Sequence, residues 1–177
     1  FIDQTDAAAV ASAMKQKPAL VWIETPSNPL LRVADIRSIA AAAHEQGALV
    51  ATDNTFLSPV WQQPIALGSD LVVHSTTKYL NGHSDVVGGA VIAATPELHQ
   101  RLEWWGNATG LIGAPFDSYL TLRGLRTLHL RMQSHAANAE AVADLLSRDN
   151  AVQAVHFPGL ATHPQHALAS RHDDWRH

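Results

Sequence analysis

The chain contains no cysteine, which excludes a disulfide framework, a thiolate zinc site and a cysteine nucleophile. Charge is scarce as well: Asp, Glu, Lys and Arg make up 16% of the 177 residues, with a formal net charge of -4. Such a surface lacks the basic footprint of a nucleic-acid binder. No apolar run approaches the length of a bilayer span and no charged-then-apolar leader opens the sequence, so a soluble cytoplasmic protein is the default expectation. Neither Gly-x-Gly-x-x-Gly nor a Gly-Lys-Ser/Thr loop occurs, which leaves dinucleotide and P-loop readings without support. The 11 histidines invite a metal. However, His163 and His166 beside Pro164, and His172 and His177 at the end, have no carboxylate or cysteine at ligand spacing, so no metal is expected.

What is present is apolar. At 46% apolar residues the chain can bury one substantial core and the opening of a second. Thr5 or Asp6 can cap a first helix that runs to about Gln16. Ala19 to Ile23 is a continuous apolar run and reads as a buried parallel strand. It ends in Glu24-Thr25-Pro26-Ser27-Asn28-Pro29, where two prolines impose a loop. Asp35 caps a second helix from Ile36 to about Gln46, stopped by Gly47. A second strand, Ala48 to Thr52, ends at Asp53-Asn54-Thr55. Leu71 to Val73 begins a third and Ala90 to Ala94 a fourth. Thr95-Pro96-Glu97 starts a further helix, interrupted at Gly106 and Gly110. Phe116 to about Leu146 has helical period, with a bend or break expected at Gly124. Val152 to Phe157 is expected to be a short strand before a Pro158-Gly159 turn.

Helices alternating with apolar strands indicate an α/β sheet covered on both faces. In such sheets ligands sit beyond the carboxyl ends of the strands. Asn28, Asp53 and the run Ser75 to Lys78 therefore converge. Lys78 is the only lysine after Lys17, and a lone amine flanked by hydroxyl donors suits a covalent carbonyl adduct. His83-Ser84-Asp85 is not a triad, because adjacent residues do not line up nucleophile, base and orienter.

The stretch Asp70-Leu71-Val72-Val73-His74-Ser75-Thr76-Thr77-Lys78-Tyr79-Leu80-Asn81-Gly82-His83-Ser84 resembles, without a gap, the lysine motif of the Cys/Met-metabolism family of pyridoxal phosphate (PLP) enzymes. The resemblance extends from Phe1 to about Arg171. It implies an α/β fold of the PLP-dependent, aspartate-aminotransferase-like type (fold type I). Residues 1–130 would be the C-terminal part of the PLP-binding large domain, and 131–177 a linker helix and the start of an incomplete small domain.

It also implies roles at matching positions. Lys78 is the Schiff-base lysine and, once displaced, the catalytic proton carrier. Asp53 is the carboxylate that keeps the pyridine nitrogen protonated, since a nearby negative charge favours the cationic form. Ser75 and Thr77 supply hydroxyls to the phosphate, and Asn28 contacts the ring oxygen and the substrate. An amine in a partly desolvated pocket near cationic groups loses proton affinity, which suits proton transfer near neutral pH.

Within the family, Glu24 to Val33, Asp53 to Pro59, Trp104-Trp105, Phe116 to Tyr119 and Leu122 to Leu128 look most like bacterial members that perform γ-replacement. These make cystathionine from cysteine and an O-acyl homoserine, the O-succinyl ester. Members that cleave cystathionine at the γ- or β-carbon, and an inactive fragment of such an enzyme, are the alternatives. Implied partners are small amino-acid substrates and further copies of the chain in a homotetramer, with no nucleic acid or membrane. Family members carry an earlier phosphate-binding and ring-stacking segment and a later carboxylate-binding arginine. The expectation is a fragment that holds half of each site. The tail His172-Asp173-Asp174-Trp175-Arg176-His177 departs from the family pattern and is read as a possible frameshift.

Overall fold

A computed structural model describes residues 1–172; the tail from Asp173 to His177, with most of the frameshift reading and His177, lies outside the described residues. Among the described residues a single four-stranded sheet forms the centre, with strands β1 (Leu20–Glu24), β2 (Leu49–Asp53), β3 (Leu71–Ser75) and β4 (Gly89–Ala93) side by side in chain order. β1, β2 and β3 run parallel and β4 antiparallel. The mixed α/β architecture follows the expectation.

Helix α1 (Ala7–Met14) begins where the Asp6 carboxylate accepts from the Ala8 N–H at 2.8 Å. Helix α2 (Ile36–His44) begins where Asp35 accepts from Ser38 at 3.2 Å. Each such cap is worth about 1 kcal/mol. Both helices turn apolar residues toward the same side of the sheet: Val10, Met14, Ile36, Ile39, Ala40 and Ala43 pack with Val21, Ile23 and Val50. Burial of a side chain such as Ile23, fully inaccessible, contributes roughly 1.5–3 kcal/mol.

Among the described residues α1 and α2 cover this face alone, where the alternation of elements predicted cover on both. The connections β1 to β2 and β2 to β3 step across the sheet in the same direction, and right-handed crossovers that do so lie on one face. On the other face Leu20, Trp22 and Val91 remain 47%, 50% and 46% exposed. Among the described residues β1 stands at the edge of the sheet with alternating exposure, where its continuous apolar run predicted a buried strand.

Between β2 and β3 the chain forms the short helix α3 (Ser58–Trp61) and a 3-10 turn at Pro64–Leu67. After β4 comes α4 (Pro96–Thr109), capped by the Thr95 hydroxyl, which accepts from Leu98 at 3.3 Å. Gly106 lies inside α4 without interrupting it, and Gly110, at φ 71°, ends it. The long helical stretch is broken as expected, into α5 (Pro115–Leu125) and α6 (Leu128–Ser147). The segment from Val152 to Phe157 has no ladder partner among the described residues and is not a strand. A last helix, α7 (His166–His172), follows.

The break falls just after Gly124, and the residue also admits a close approach. A Cβ there would run into the Asn81 carbonyl and stand 2.9 Å from the Leu80 carbonyl oxygen. The residue is glycine so that α5 can lie directly on the loop after β3. Gly124→Ala would stabilise an isolated helix by about 1 kcal/mol. Here it is expected to destabilise by roughly 1–3 kcal/mol through overpacking, read as a fall in the thermal midpoint. A rise would show that α5 retreats freely.

Candidate functional site

The carboxyl ends of the three parallel strands deliver the expected residues to one edge of the sheet. Asp53 is the last residue of β2 and pairs in register with Val73 of β3. Side chains two apart on a strand share a face, so Asp53 and Ser75 project to the same, uncovered side. The Asp53 carboxylate accepts from the Thr55 N–H at 2.9 Å, a local turn that fixes its direction. The Thr55 hydroxyl in turn accepts from the Ser75 N–H at 2.8 Å, which ties the two strand ends together.

Beyond Ser75 the chain makes a tight turn. The Lys78 N–H donates to the Ser75 carbonyl at 3.3 Å, and the Gly82 N–H to the Lys78 carbonyl at 2.8 Å. The Lys78 side chain is exposed rather than enclosed. It lines an open cleft of about 740 Å³ together with Phe56, Thr77, Tyr79, Val86 and His135. Asp53, Ser75 and Asn28 do not line that cleft. The Thr77 hydroxyl accepts from the Gly88 N–H at 3.1 Å and donates to the Gly88 carbonyl at 3.4 Å. Asn28 is exposed in the loop after β1, and its N–H donates to the Glu24 carboxylate at 3.2 Å. It shares the sheet end with Lys78 but stands two strands away.

His74, between these groups in sequence, points to the opposite face and is buried, with an Nδ1 that has no hydrogen-bond partner. Burial holds the imidazole below its ordinary range, with the Asp53 charge opposing. It is therefore a neutral ring at neutral pH and takes no visible part in the cleft. His83 and Asp85 both engage Asn81 instead of one another: the His83 Nδ1 lies 2.7 Å from the Asn81 carbonyl, and the Asn81 amide donates to Asp85 at 2.6 Å. His163 accepts from the Gln165 N–H at 3.2 Å and His166 lies 2.9 Å from the Pro158 carbonyl, both structural uses.

Sequence reasoning missed what stands behind the turn. Arg131 of α6 donates to the Tyr79 and Gly124 carbonyls, each at 2.8 Å. The Tyr79 ring lies 5.4 Å from that of His135. Gly124 was the one available signal, a helix breaker in a helical pattern. Nothing in the sequence distinguishes Arg131 from a solvated arginine.

An exposed amine, a half-buried carboxylate on the neighbouring strand end and hydroxyls between them form a donor set that suits an aldehyde, a pyridine nitrogen and a phosphate. Residues 1–175 match the family described as Cys/Met metabolism PLP-dependent enzyme. The chain is 52% identical over 171 residues to cystathionine gamma-synthase of Escherichia coli (strain K12), covering 97% of this chain and 44% of that protein. It is 47% identical over 171 residues to cystathionine gamma-lyase of Dictyostelium discoideum, again 97% and 44%. The crystal structure of cystathionine gamma synthase from Xanthomonas oryzae pv. oryzae in complex with cystathionine superposes with a TM-score of 0.96 at 60% identity, over 97% of this chain and 44% of that one. The chain thus spans about half the length of the relatives it matches.

Proposed function

Because the chain belongs to the Cys/Met-metabolism family of PLP-dependent enzymes, we propose that it is the lysine-bearing part of an enzyme of γ-replacement. That enzyme would join cysteine to an O-acyl homoserine, the O-succinyl ester, to give cystathionine. The observation that carries this reading is the placement of Lys78 in an exposed turn just beyond β3, with Asp53 closing the adjacent parallel strand. PLP, when bound, supplies an aldehyde for an amine and a ring that draws electrons from bonds at an amino acid's Cα.

The chain's own residues would do the rest. Lys78 holds the coenzyme covalently, then carries a proton from Cα to the neighbouring carbon. Asp53, held by its Thr55 contact, favours a protonated ring nitrogen. Ser75 and Thr77 donate to the phosphate, and Asn28 reaches the ring oxygen and substrate from the β1 loop. The domain boundary is placed near residue 130, within α6. A cytoplasmic homotetramer is the proposed assembly, supported by the exposed Trp104, Trp105, Phe116 and Tyr119 on α4 and α5.

Cleavage of cystathionine is the second reading, favoured by the 47% identity to a γ-lyase. The assay is cystathionine formation from O-succinylhomoserine and cysteine, run beside cysteine release from cystathionine. Formation is the expected outcome in the complete protein; release in its place selects the lyase. Absence of both, with no uptake of PLP by the purified chain, would remove the enzyme reading.

A further inference from the structure

The turn that presents Lys78 is gripped from behind by one guanidinium. Arg131 uses all three of its nitrogens: Nη1 donates to the Tyr79 carbonyl at 2.8 Å, Nη2 to the Gly124 carbonyl at 2.8 Å and Nε to the Thr127 hydroxyl at 3.2 Å. Tyr79 is the residue directly after Lys78. Its carbonyl is held by Arg131 and its ring meets His135, one helical turn further along α6. A rigid planar fork of this kind fixes two partners in direction as well as distance, which a flexible ammonium does not.

Two glycines are emptied to admit this contact. Gly82, at φ 74°, closes the lysine turn, and a Cβ on it would collide with the Arg131 guanidinium, with Nη2 at 2.9 Å. Gly124 gives up its Cβ to the carbonyls of Asn81 and Leu80. Side chains are thus absent on both sides of the arginine, one in the turn and one in α5. The backbone of Lys78 is then fixed from both directions, by Ser75 before it and by Gly82 and Tyr79 after it. Its side chain alone remains at liberty in the cleft.

We propose that Arg131 is a positioning residue that sets the direction in which the Lys78 amine leaves its turn. The inference rests on the reading of Lys78 as the amine that takes PLP. Arg131 does not touch the reacting atoms; it acts through the Tyr79 carbonyl. Its loss lets the turn rotate, so Lys78 keeps its amine but meets an aldehyde in the wrong direction more often.

The test is covalent capture. The full chain is mixed with PLP, reduced with borohydride at timed intervals and mapped by peptide mass, with Lys15 and Lys17 as exposed internal controls. In Arg131→Met, capture at Lys78 is expected to slow about tenfold, the scale at which small misplacements of a reacting group act. Capture at Lys15 and Lys17 stays unchanged. Amide hydrogen exchange separates positioning from mere support: Gly82 is expected to exchange faster, while Val50 and Val72 in the sheet keep their protection. Arg131→Lys, which keeps the charge and a single donor nitrogen, should recover part of the rate. Should Arg131→Met fail to fold, Thr127→Val, which removes the Nε acceptor together with the hydroxyl's bond to the Gly124 carbonyl at 3.2 Å, takes its place with a severalfold slowing expected. Equal capture rates in the wild type and whichever variant folds would overturn the proposal. Wild-type capture without preference for Lys78 would instead defeat the reading beneath it, and the proposal with it.

Discussion

Lys78→Ala is expected to abolish borohydride-fixed PLP at this site and to lower turnover in the complete protein by about 10³-fold or more, because in the proposed function one side chain serves both as covalent anchor and as proton carrier. The substitution is structurally mild. Lys78 is exposed, and its backbone contacts to Ser75 and Gly82 do not involve the side chain. Loss of the adduct would therefore report lost chemistry rather than a lost fold. Circular dichroism should be unchanged. A small primary amine added to the variant should restore part of the turnover, since it replaces the missing base but not the missing tether. Persistence of a wild-type adduct on Lys15 or Lys17, with turnover intact, would end the assignment.

The second large effect concerns the carboxylate. Asp53→Asn keeps shape and the local turn, because an amide oxygen can still accept from the Thr55 N–H that Asp53 binds at 2.9 Å. What it removes is the negative charge. A hydrogen bond to a charged group is worth about 1.5–3 kcal/mol. PLP affinity is therefore expected to weaken by about 10- to 100-fold by that measure, read by spectroscopic titration. Deuterium exchange at an amino acid's Cα should fall further, by on the order of 10²-fold, because an unprotonated ring is a poorer electron sink. Unchanged affinity and exchange would move the ring nitrogen's partner elsewhere. The same carboxylate opposes the effect of burial on His74, so the variant should also deepen the depression of that imidazole.

Much of this was legible in the sequence because strands announce themselves. Leu20 to Ile23, Leu49 to Thr52 and Leu71 to Val73 are largely apolar runs bounded by turn residues, and their polar ends mark the edge that carries the candidate site. Asp35 and Thr95 signal helix starts through their capping chemistry, which is local and needs no tertiary context. What failed to show was everything decided by packing between distant segments. An apolar run such as that in β1 reads alike whether its second face is covered or not. Val152 to Phe157 has the composition of a strand but no ladder to join. Gly124 announced the break between α5 and α6 but not the close approach it permits, since a glycine in a helix is equally consistent with both. Arg131 gave no signal at all, because its partners are backbone carbonyls, and any residue supplies those.

The arrangement of the sheet has a consequence for how the molecule comes into being. Since β1, β2, β3 and β4 lie side by side in the order of their synthesis, each strand finds its partner already in place as it leaves the ribosome. Pairing of strands that are successive along the chain demands less loop closure than pairing of distant ones. The lysine turn, by contrast, is fastened by α5 and α6, some fifty residues downstream of it. The sheet edge that bears Lys78 is therefore assembled first and tightened last, so a nascent chain interrupted before α6 would possess the sheet while its lysine turn still swung loose.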